Sequence, residues 1–213
     1  MSPDLLAPFQ SALAVADIDD LAWDKQAGLL PAIVQDAGTL RVLMLGYMDR
    51  QALRVTLEQG QVTFYSRSRQ RLWTKGETSG HTLQIVDLRT DCDRDTLLVL
   101  ARPVGPTCHL GRVSCFDAAP GNFLAELDAL VAARGRDRPA GSYTTRLFDA
   151  GVRAIAQKVG EEGVETALAA VAQDAEALTG EAADLLYHVL VLLQARGLAL
   201  DDVVHTLRRR HAG

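Results

Sequence analysis

Three cysteines near the middle of the chain are the residues best suited to hold a metal that does chemistry. They are Cys92, Cys108 and Cys115, and the first stands inside the acidic string DCDRD at 91–95. An odd number of cysteines in one short stretch cannot complete a disulfide framework, whereas three thiolates give zinc three soft ligands and leave a fourth position for water. The residues therefore favour an open, catalytic zinc site. The alternative is that the cysteines are small residues that only pack in a core.

The aspartates around Cys92 form a second candidate metal site. Alternate side chains of an extended segment share one face, so Asp91, Asp93 and Asp95 would lie together while Cys92 points away. Three carboxylates on one face repel one another unless a hard cation such as Mg²⁺ lies among them. The sequence therefore predicts a magnesium site next to the zinc site.

Acidic residues at helical spacing form a third cluster closer to the C-terminus. Glu162 and Glu165 are three residues apart, as are Glu181 and Asp184, so each pair shares one face of a helix. Antiparallel packing of the two helices would aim both pairs, with Glu161 beside them, at one Mg²⁺. A solvated acidic face is the ordinary interpretation of helical glutamates. Against it, the opposite face of the second helix is already apolar.

Length, composition and charge limit the class of protein. The 213 residues are 48% hydrophobic, enough for one large domain or two of about 100 residues, and we expect two. The sequence shows neither an apolar run of the roughly 18 residues that cross a bilayer nor a signal peptide, so we expect a cytoplasmic protein with no membrane partner. A formal net charge of −5, shared by both halves, argues against nucleic-acid binding and favours a small anionic ligand.

The N-terminal half, residues 1–117, has the pattern of an α+β domain that is mostly β and carries the zinc site. Asp49 is placed to cap a helix at 50–59, which Gly60 ends. Strands are predicted before and after this helix, with the cysteine loop at 106–116 following the last of them. Their predicted ranges are 29–35, 40–45, 61–66, 82–88 and 96–102.

The C-terminal half, residues 123–213, has the pattern of an all-α helical bundle. A short Ala/Pro/Gly stretch at 118–122 is expected to be the linker between the halves. The apolar face of the third helix is broad, and a homodimer would bury it more easily than a monomer. The predicted helices cover 123–133, 146–172, 174–196 and 200–210.

Strings in both halves carry a family resemblance. In the first half they are GLLPA at 28–32, YSRSR at 65–69, LWTKGETSG at 72–80, DCDRD at 91–95, CH at 108–109 and CF at 115–116. In the second half they are GSYT at 141–144, KVGEEGVE at 158–165 and EAADLLYH at 181–188. Over nearly its whole length the chain resembles the bifunctional histidine-biosynthesis family that fuses phosphoribosyl-AMP cyclohydrolase to phosphoribosyl-ATP pyrophosphatase. The one departure is Gly163, where the family usually has alanine.

The resemblance implies two successive hydrolyses. The C-terminal half would release pyrophosphate from phosphoribosyl-ATP, with Mg²⁺ on the carboxylates of its two helices. The N-terminal half would then open the N1–C6 bond of phosphoribosyl-AMP with zinc on the three cysteines and His109 as general base. Without the resemblance, His109 would as readily be a packing residue. The family further implies a homodimer in which Cys92 of one chain faces Cys108 and Cys115 of the other.

Basic, small and aromatic residues are the expected contacts of the nucleotide substrates. Side-chain cations and free backbone N–H groups suit the 5′-phosphates, and an indole suits the purine. A solvated basic loop and a core tryptophan are the alternatives. The expected residues are Ser66, Arg67, Ser68, Arg69, Trp73, Lys75, Gly76, Glu77, Thr78, Ser79, Gly80 and Lys158.

Two other functions are also compatible with the sequence. The chain would be a zinc-binding scaffold or regulatory module if His109 closed a structural zinc site as the fourth ligand. The helical half would be a general nucleotide pyrophosphohydrolase if its substrate were not phosphoribosyl-ATP.

Overall fold

The computed structural model describes residues 13–211, which form two compact units divided between Asn122 and Phe123. Within these residues no single helix is long and apolar enough to span a membrane. The helices Ala175–Ala195 and Leu200–His211 pass that test of length and composition only when taken together across a 104° bend.

The first unit is built on a four-stranded sheet with a separate hairpin beside it. The sheet has the order β2-β1-β6-β5, in which β1 runs antiparallel to β2 and parallel to β6, and β5 runs antiparallel to β6. Two 3₁₀ helices, Val15–Asp20 and Trp23–Gln26, precede it. The other elements are β1 (Leu30–Asp36), β2 (Val42–Met48), α1 (Arg50–Gln59), β3 (Thr63–Ser66), β4 (Arg71–Thr74), β5 (Leu83–Thr90) and β6 (Leu97–Pro103). The predicted α+β class is confirmed.

Buried and partly exposed side chains alternate along β1, and this pattern shows which side of the sheet faces the core. Leu30, Ala32 and Val34 are fully buried, while the residues between them are partly exposed. Trp23 is buried on the same core and satisfies its indole N–H with the Ile18 carbonyl at 2.7 Å. Burying each such large side chain contributes about 1.5–3 kcal/mol, so this core fixes the loops that leave the sheet.

Helix α1 forms as its end signals predict. The Asp49 side chain accepts the backbone N–H of Ala52 at 2.7 Å, which satisfies one of the free donors of the first turn. Gly60 ends the helix. The predicted range of 50–59 is confirmed.

Strand β4 was not predicted. It pairs antiparallel with β3, so that Phe64 lies opposite Trp73 and their rings stack at 5.7 Å between centroids. The strand is four residues long and lies in a polar string, so its alternation is too short to show in the sequence. Its consequence is that part of the expected substrate loop is a rigid hairpin.

The second unit consists of four helices, and the predicted all-α class is confirmed. They are α2 (Phe123–Asp137), α3 (Tyr143–Ala172), α4 (Ala175–Ala195) and α5 (Leu200–His211). Helix α3 is interrupted at Gly151, whose φ of 85° and ψ of 170° are not helical. A positive φ costs glycine little, and the sequence prediction of a continuous helix missed this break.

The core of the helical unit is small for its length. Val131, Leu147, Ile155 and Val191 form its buried cluster. The apolar residues Val164, Leu168 and Val171 are exposed instead, at the spacing that places them along one face of α3.

Candidate active sites

Cys108 and Cys115 lie at one cavity of about 450 Å³ in the first unit. The residues that line it join the cysteine loop to the hairpin and to the string that follows β4. They are Met44, Trp73, Lys75, Gly76, Glu77, Thr78, Ser79, His81, Pro106, Thr107, Cys108, His109, Gly111 and Cys115. The cavity therefore combines thiols, imidazoles and small polar residues in one place.

The cysteine loop is held by its own backbone and by β2. The Cys108 N–H donates to the Arg112 carbonyl at 2.9 Å, and the Gly111 N–H donates to the Cys108 carbonyl at 3.0 Å. The Cys115 N–H donates to the Leu43 carbonyl of β2 at 2.8 Å. These bonds fix both sulfur atoms relative to the sheet.

The two thiols have opposite pKa shifts. A hydrogen bond from the Leu110 backbone lowers the pKa of Cys108, whereas partial burial and then the neighbouring Cys108 raise the pKa of Cys115. Two thiolates side by side repel each other, so both are ionised together when a cation binds between them. Soft donors arranged in this way fit zinc.

Cys92 lies apart from the other two cysteines within one chain. It is exposed, it does not line the cavity, and among the described residues the three cysteines do not form a three-ligand cluster. A single chain thus brings together two of the three predicted zinc ligands, with His109 beside them.

Lys75 lies inside the cavity rather than on a solvated loop. Its side chain is nearly buried, and its ammonium donates to the His81 carbonyl at 3.0 Å. Burial lowers the pKa of Lys75, and the nearby Cys115 and Cys108 oppose that shift. The next residue, Gly76, packs so closely that an added Cβ would lie 2.4 Å from the His81 carbonyl oxygen. Sequence reasoning missed His81, although it directly follows the 72–80 string.

The eleven expected substrate residues of the first unit divide into two groups. Six of them line the cavity, namely Trp73, Lys75, Gly76, Glu77, Thr78 and Ser79, whereas Ser66, Arg67, Ser68, Arg69 and Gly80 do not. The Arg67 guanidinium instead lies 3.9 Å from the centre of the Tyr47 ring. Glu77 accepts from Arg71 at 2.8 Å, which lowers the pKa of Glu77. Trp73 of β4 and residues 75–79 of the string that follows it thus line the cavity, whereas residues 66–69, at the turn of the hairpin, lie outside it.

The three aspartates around Cys92 converge, but on a turn at 92–94 rather than on the extended segment that the sequence predicted, and an ammonium lies with them. Oxygens of Asp91, Asp93 and Asp95 lie within 4.8 Å of one another. Lys25 Nζ lies 2.6 Å from an Asp93 oxygen and 3.5 Å from an Asp95 oxygen. The hydrogen bond between them raises the pKa of Lys25 and lowers that of Asp93. The oxygen donors fit Mg²⁺, but part of their repulsion is already offset by Lys25.

In the helical unit, Glu162 and Glu165 of α3 meet Glu181 of α4. One oxygen of each lies within 4.8 Å of the others. Desolvation, followed by the charges of Glu162 and Glu181, raises the pKa of Glu165. A raised carboxyl pKa means that the ionised cluster is unfavourable by itself, and a divalent cation would relieve it.

Lys158 links Glu161, another predicted ligand, to this cluster. Lys158 Nζ donates to Glu161 and to Glu162, both at 2.9 Å. Its hydrogen bond lowers the pKa of Glu161. Glu161 and Asp184 are not among the three carboxylates that converge.

Comparison with known proteins gives a consistent result for both halves. A family model described as phosphoribosyl-AMP cyclohydrolase matches residues 44–117, and one described as phosphoribosyl-ATP pyrophosphohydrolase matches residues 124–211. The chain is 68% identical over 200 residues to the histidine biosynthesis bifunctional protein HisIE of Xanthomonas axonopodis pv. citri, covering 92% of this chain and 97% of the relative. It is 59% identical over 194 residues to the protein of the same name from Salmonella typhimurium, covering 90% and 96%.

We predict that removing the Lys25 ammonium strengthens cation binding at the aspartate cluster. The experiment uses Mn²⁺ as a spectroscopic substitute for Mg²⁺ and a Glu165→Gln background, which weakens cation binding at the helical cluster. In this background Lys25→Met should raise the affinity for Mn²⁺ by roughly two- to fivefold, because a competing positive charge is removed. Electron paramagnetic resonance of free Mn²⁺ measures this affinity.

Two matched variants control the Lys25 experiment. Lys25→Arg keeps the positive charge and should leave the affinity close to that of the parent. Arg50→Met removes a cation that pairs with Asp19 at 3.6 Å, outside the cluster. Unchanged or weaker Mn²⁺ binding in Lys25→Met would show that Lys25 does not compete with the cation.

Proposed function

The chain belongs to the histidine biosynthesis bifunctional proteins, so it is both a phosphoribosyl-ATP pyrophosphohydrolase and a phosphoribosyl-AMP cyclohydrolase, and we propose that each activity has its own metal-dependent site. The observation that carries this proposal is the separation of the donors by chemistry. Thiols and His109 line the cavity of the first unit, whereas carboxylates converge between α3 and α4 of the second.

In the pyrophosphohydrolase, Glu162, Glu165 and Glu181 would hold Mg²⁺, and Glu161 and Asp184 of the same two helices would complete the site. Bound Mg²⁺ supplies charge neutralisation to the triphosphate and a lowered pKa to a coordinated water. Lys158 already lies beside two of these carboxylates and would contact the phosphate oxygens. Water then cleaves the bond between the α and β phosphates, giving phosphoribosyl-AMP and pyrophosphate without a nucleophilic side chain.

In the cyclohydrolase, Cys108 and Cys115 would hold zinc at the cavity wall next to His109. Bound zinc supplies a Lewis acid that lowers the pKa of water. Ribosylation at N1 makes the adenine ring cationic and its C6 electrophilic. His109 would take a proton from the water that adds to C6, and the N1–C6 bond would break as a proton reaches N1. Trp73 and the residues from Lys75 to Ser79 would surround the nucleotide.

The aspartate cluster would anchor the substrate of the cyclohydrolase. Asp91, Asp93 and Asp95 offer oxygen ligands to Mg²⁺, and this cation would bind the 5′-phosphate. Arg67 and Arg69, with Ser66, Ser68 and Gly80, would contact a phosphate only from outside the cavity described above.

We further propose that the zinc site is completed across a homodimer. Within one chain Cys92 is exposed and lies outside the cavity, so a second copy would supply the third thiolate. The cysteine loop exposes Leu110, Val113 and Phe116, and a dimer would bury such residues. A dimer would also bury the exposed residues Val164, Leu168 and Val171 of α3.

The proposed compartment is the cytoplasm. All three cysteines are free thiols, which suits a reducing environment. The substrates are small phosphorylated nucleotides, in agreement with the absence of a general positive charge.

We predict that the two activities are separable. Glu165→Gln should abolish pyrophosphate release from phosphoribosyl-ATP, because one anionic ligand is lost, yet leave the opening of phosphoribosyl-AMP nearly unchanged. Glu176→Gln, in the exposed first turn of α4, is the matched control and should retain both activities. An equal loss of both activities in Glu165→Gln would contradict independent sites.

We predict that His109→Ala keeps its zinc but loses roughly 10²-fold or more in the rate of ring opening, because a general base is removed while the thiolates remain. Elemental analysis of the purified variant measures the zinc. Zinc lost together with activity would identify His109 as a ligand and would favour the closed, structural site.

We predict that two inactive cysteine variants restore each other. Cys92→Ser and Cys108→Ser should each fail to open phosphoribosyl-AMP. After unfolding and refolding as an equal mixture, half of the dimers are mixed, and each mixed dimer has one intact site, so roughly a quarter of wild-type activity should return. A mixture shown to contain mixed dimers but lacking activity would place all three cysteines in one chain.

A further inference from the structure

Two residues to which the proposed mechanism gives no role meet in space next to the glutamate cluster. Tyr143, from the 141–144 string, is the first residue of α3, and His188, from the 181–188 string, lies on α4. The Tyr143 hydroxyl lies 3.0 Å from Nε2 of His188. The His188 side chain is buried, with 4% of the residue exposed.

The partners of His188 determine where its proton lies. Nδ1 is 2.8 Å from the Asp184 backbone carbonyl, which can only accept, so Nδ1 carries a hydrogen. In the neutral ring Nε2 then accepts the proton of the Tyr143 hydroxyl. Both edges of the imidazole are thus used, and its orientation is fixed.

The fixed ring touches the metal-ligand region directly. Nδ1 of His188 also lies 3.7 Å from Oε1 of Glu162, the buried member of the cluster. The carbonyl that His188 holds belongs to Asp184, another expected ligand. The ring therefore contacts α3 and α4 at the two positions where carboxylates must keep their spacing.

Further contacts hold Tyr143 in place. Its ring stacks on Tyr187 with 6.2 Å between centroids and meets His188 edge-on at 6.0 Å. The Tyr187 hydroxyl bonds Thr144 Oγ1 at 2.8 Å, and Arg134 donates to the same oxygen at 3.3 Å. The residue after Tyr143 is thus bonded to α2 and to α4.

We propose that Tyr143 and His188 form one positioning unit for the pyrophosphohydrolase site, which holds Glu162 and the Asp184 turn at the spacing that a cation requires. This inference rests on the proposed function of the glutamate cluster. Groups that orient metal ligands typically matter by about 10–100-fold in metal affinity or activity. The hydrogen bond between the two side chains is the feature that makes them one unit.

A double-mutant cycle in the full chain tests the unit. Tyr143→Phe removes the hydroxyl, and His188→Asn keeps a donor near the Nδ1 position for the Asp184 carbonyl but loses the acceptor of the Tyr143 proton. Each should lower Mn²⁺ affinity and kcat for pyrophosphate release about tenfold. The double variant should also lose about tenfold rather than a hundredfold, since both changes break the same bond.

Tyr187→Phe is the matched control, because it removes a phenol hydroxyl from the same aromatic group without touching His188 nitrogen atoms. It should leave Mn²⁺ affinity within about twofold of wild type. Ring opening of phosphoribosyl-AMP should be unchanged in every variant, and the far-ultraviolet circular dichroism of each variant checks that the helical unit is folded.

Three results would overturn the proposal of a positioning unit. They are additive losses in the double variant, unchanged Mn²⁺ affinity in Tyr143→Phe, and equal losses in Tyr143→Phe and Tyr187→Phe. If His188→Asn does not fold, the comparison of the two tyrosine variants decides the question. Failure of wild type to release pyrophosphate from phosphoribosyl-ATP would instead contradict the proposed function itself.

Discussion

Repulsion between like charges is the constraint on which both candidate sites depend. Three anionic clusters must form in one folded chain, and each stands beside a lysine ammonium. The chain contains three lysines, and Lys25 lies at the aspartates, Lys75 near the two thiols, and Lys158 at the glutamates. Arginines supply the other cations of the chain. A lysine ammonium offsets part of the electrostatic repulsion between the anionic side chains before a metal binds. A metal ion that binds there must then compete with the same ammonium.

Each unit meets this constraint with a different kind of support. In the first unit, backbone hydrogen bonds hold the cysteine loop to β2, so the sulfur atoms stay in place although their charges repel. In the helical unit the ligands are side chains on two packed helices, where backbone groups are already used. Side chains must therefore orient the glutamates, and the buried His188, bonded to the exposed Tyr143, occupies that position.

The sequence predicts local structure better than it predicts partners. Asp49 and Gly60 mark the ends of α1 because capping is a local effect, and the acidic spacing on α3 and α4 correctly brings Glu162, Glu165 and Glu181 together. By contrast, Lys25 reaches Asp93 across 68 residues, which no periodicity reveals. The break at Gly151 was missed because a single glycine is compatible with both a helix and a kink. Cys92 lies outside the cavity that Cys108 and Cys115 line, and the spacing of the three cysteines in the sequence does not reveal this separation.

The most direct test follows the intact protein with phosphoribosyl-ATP in the presence of Zn²⁺ and Mg²⁺. Pyrophosphate and the ring-opened nucleotide are measured together over time, with ATP and dUTP as competing substrates. Two sites acting in series predict that pyrophosphate appears first, that the ring-opened product follows to an equal amount, and that ATP and dUTP release little pyrophosphate. Equally fast release from ATP or dUTP, or phosphoribosyl-AMP that accumulates unopened, would contradict this account.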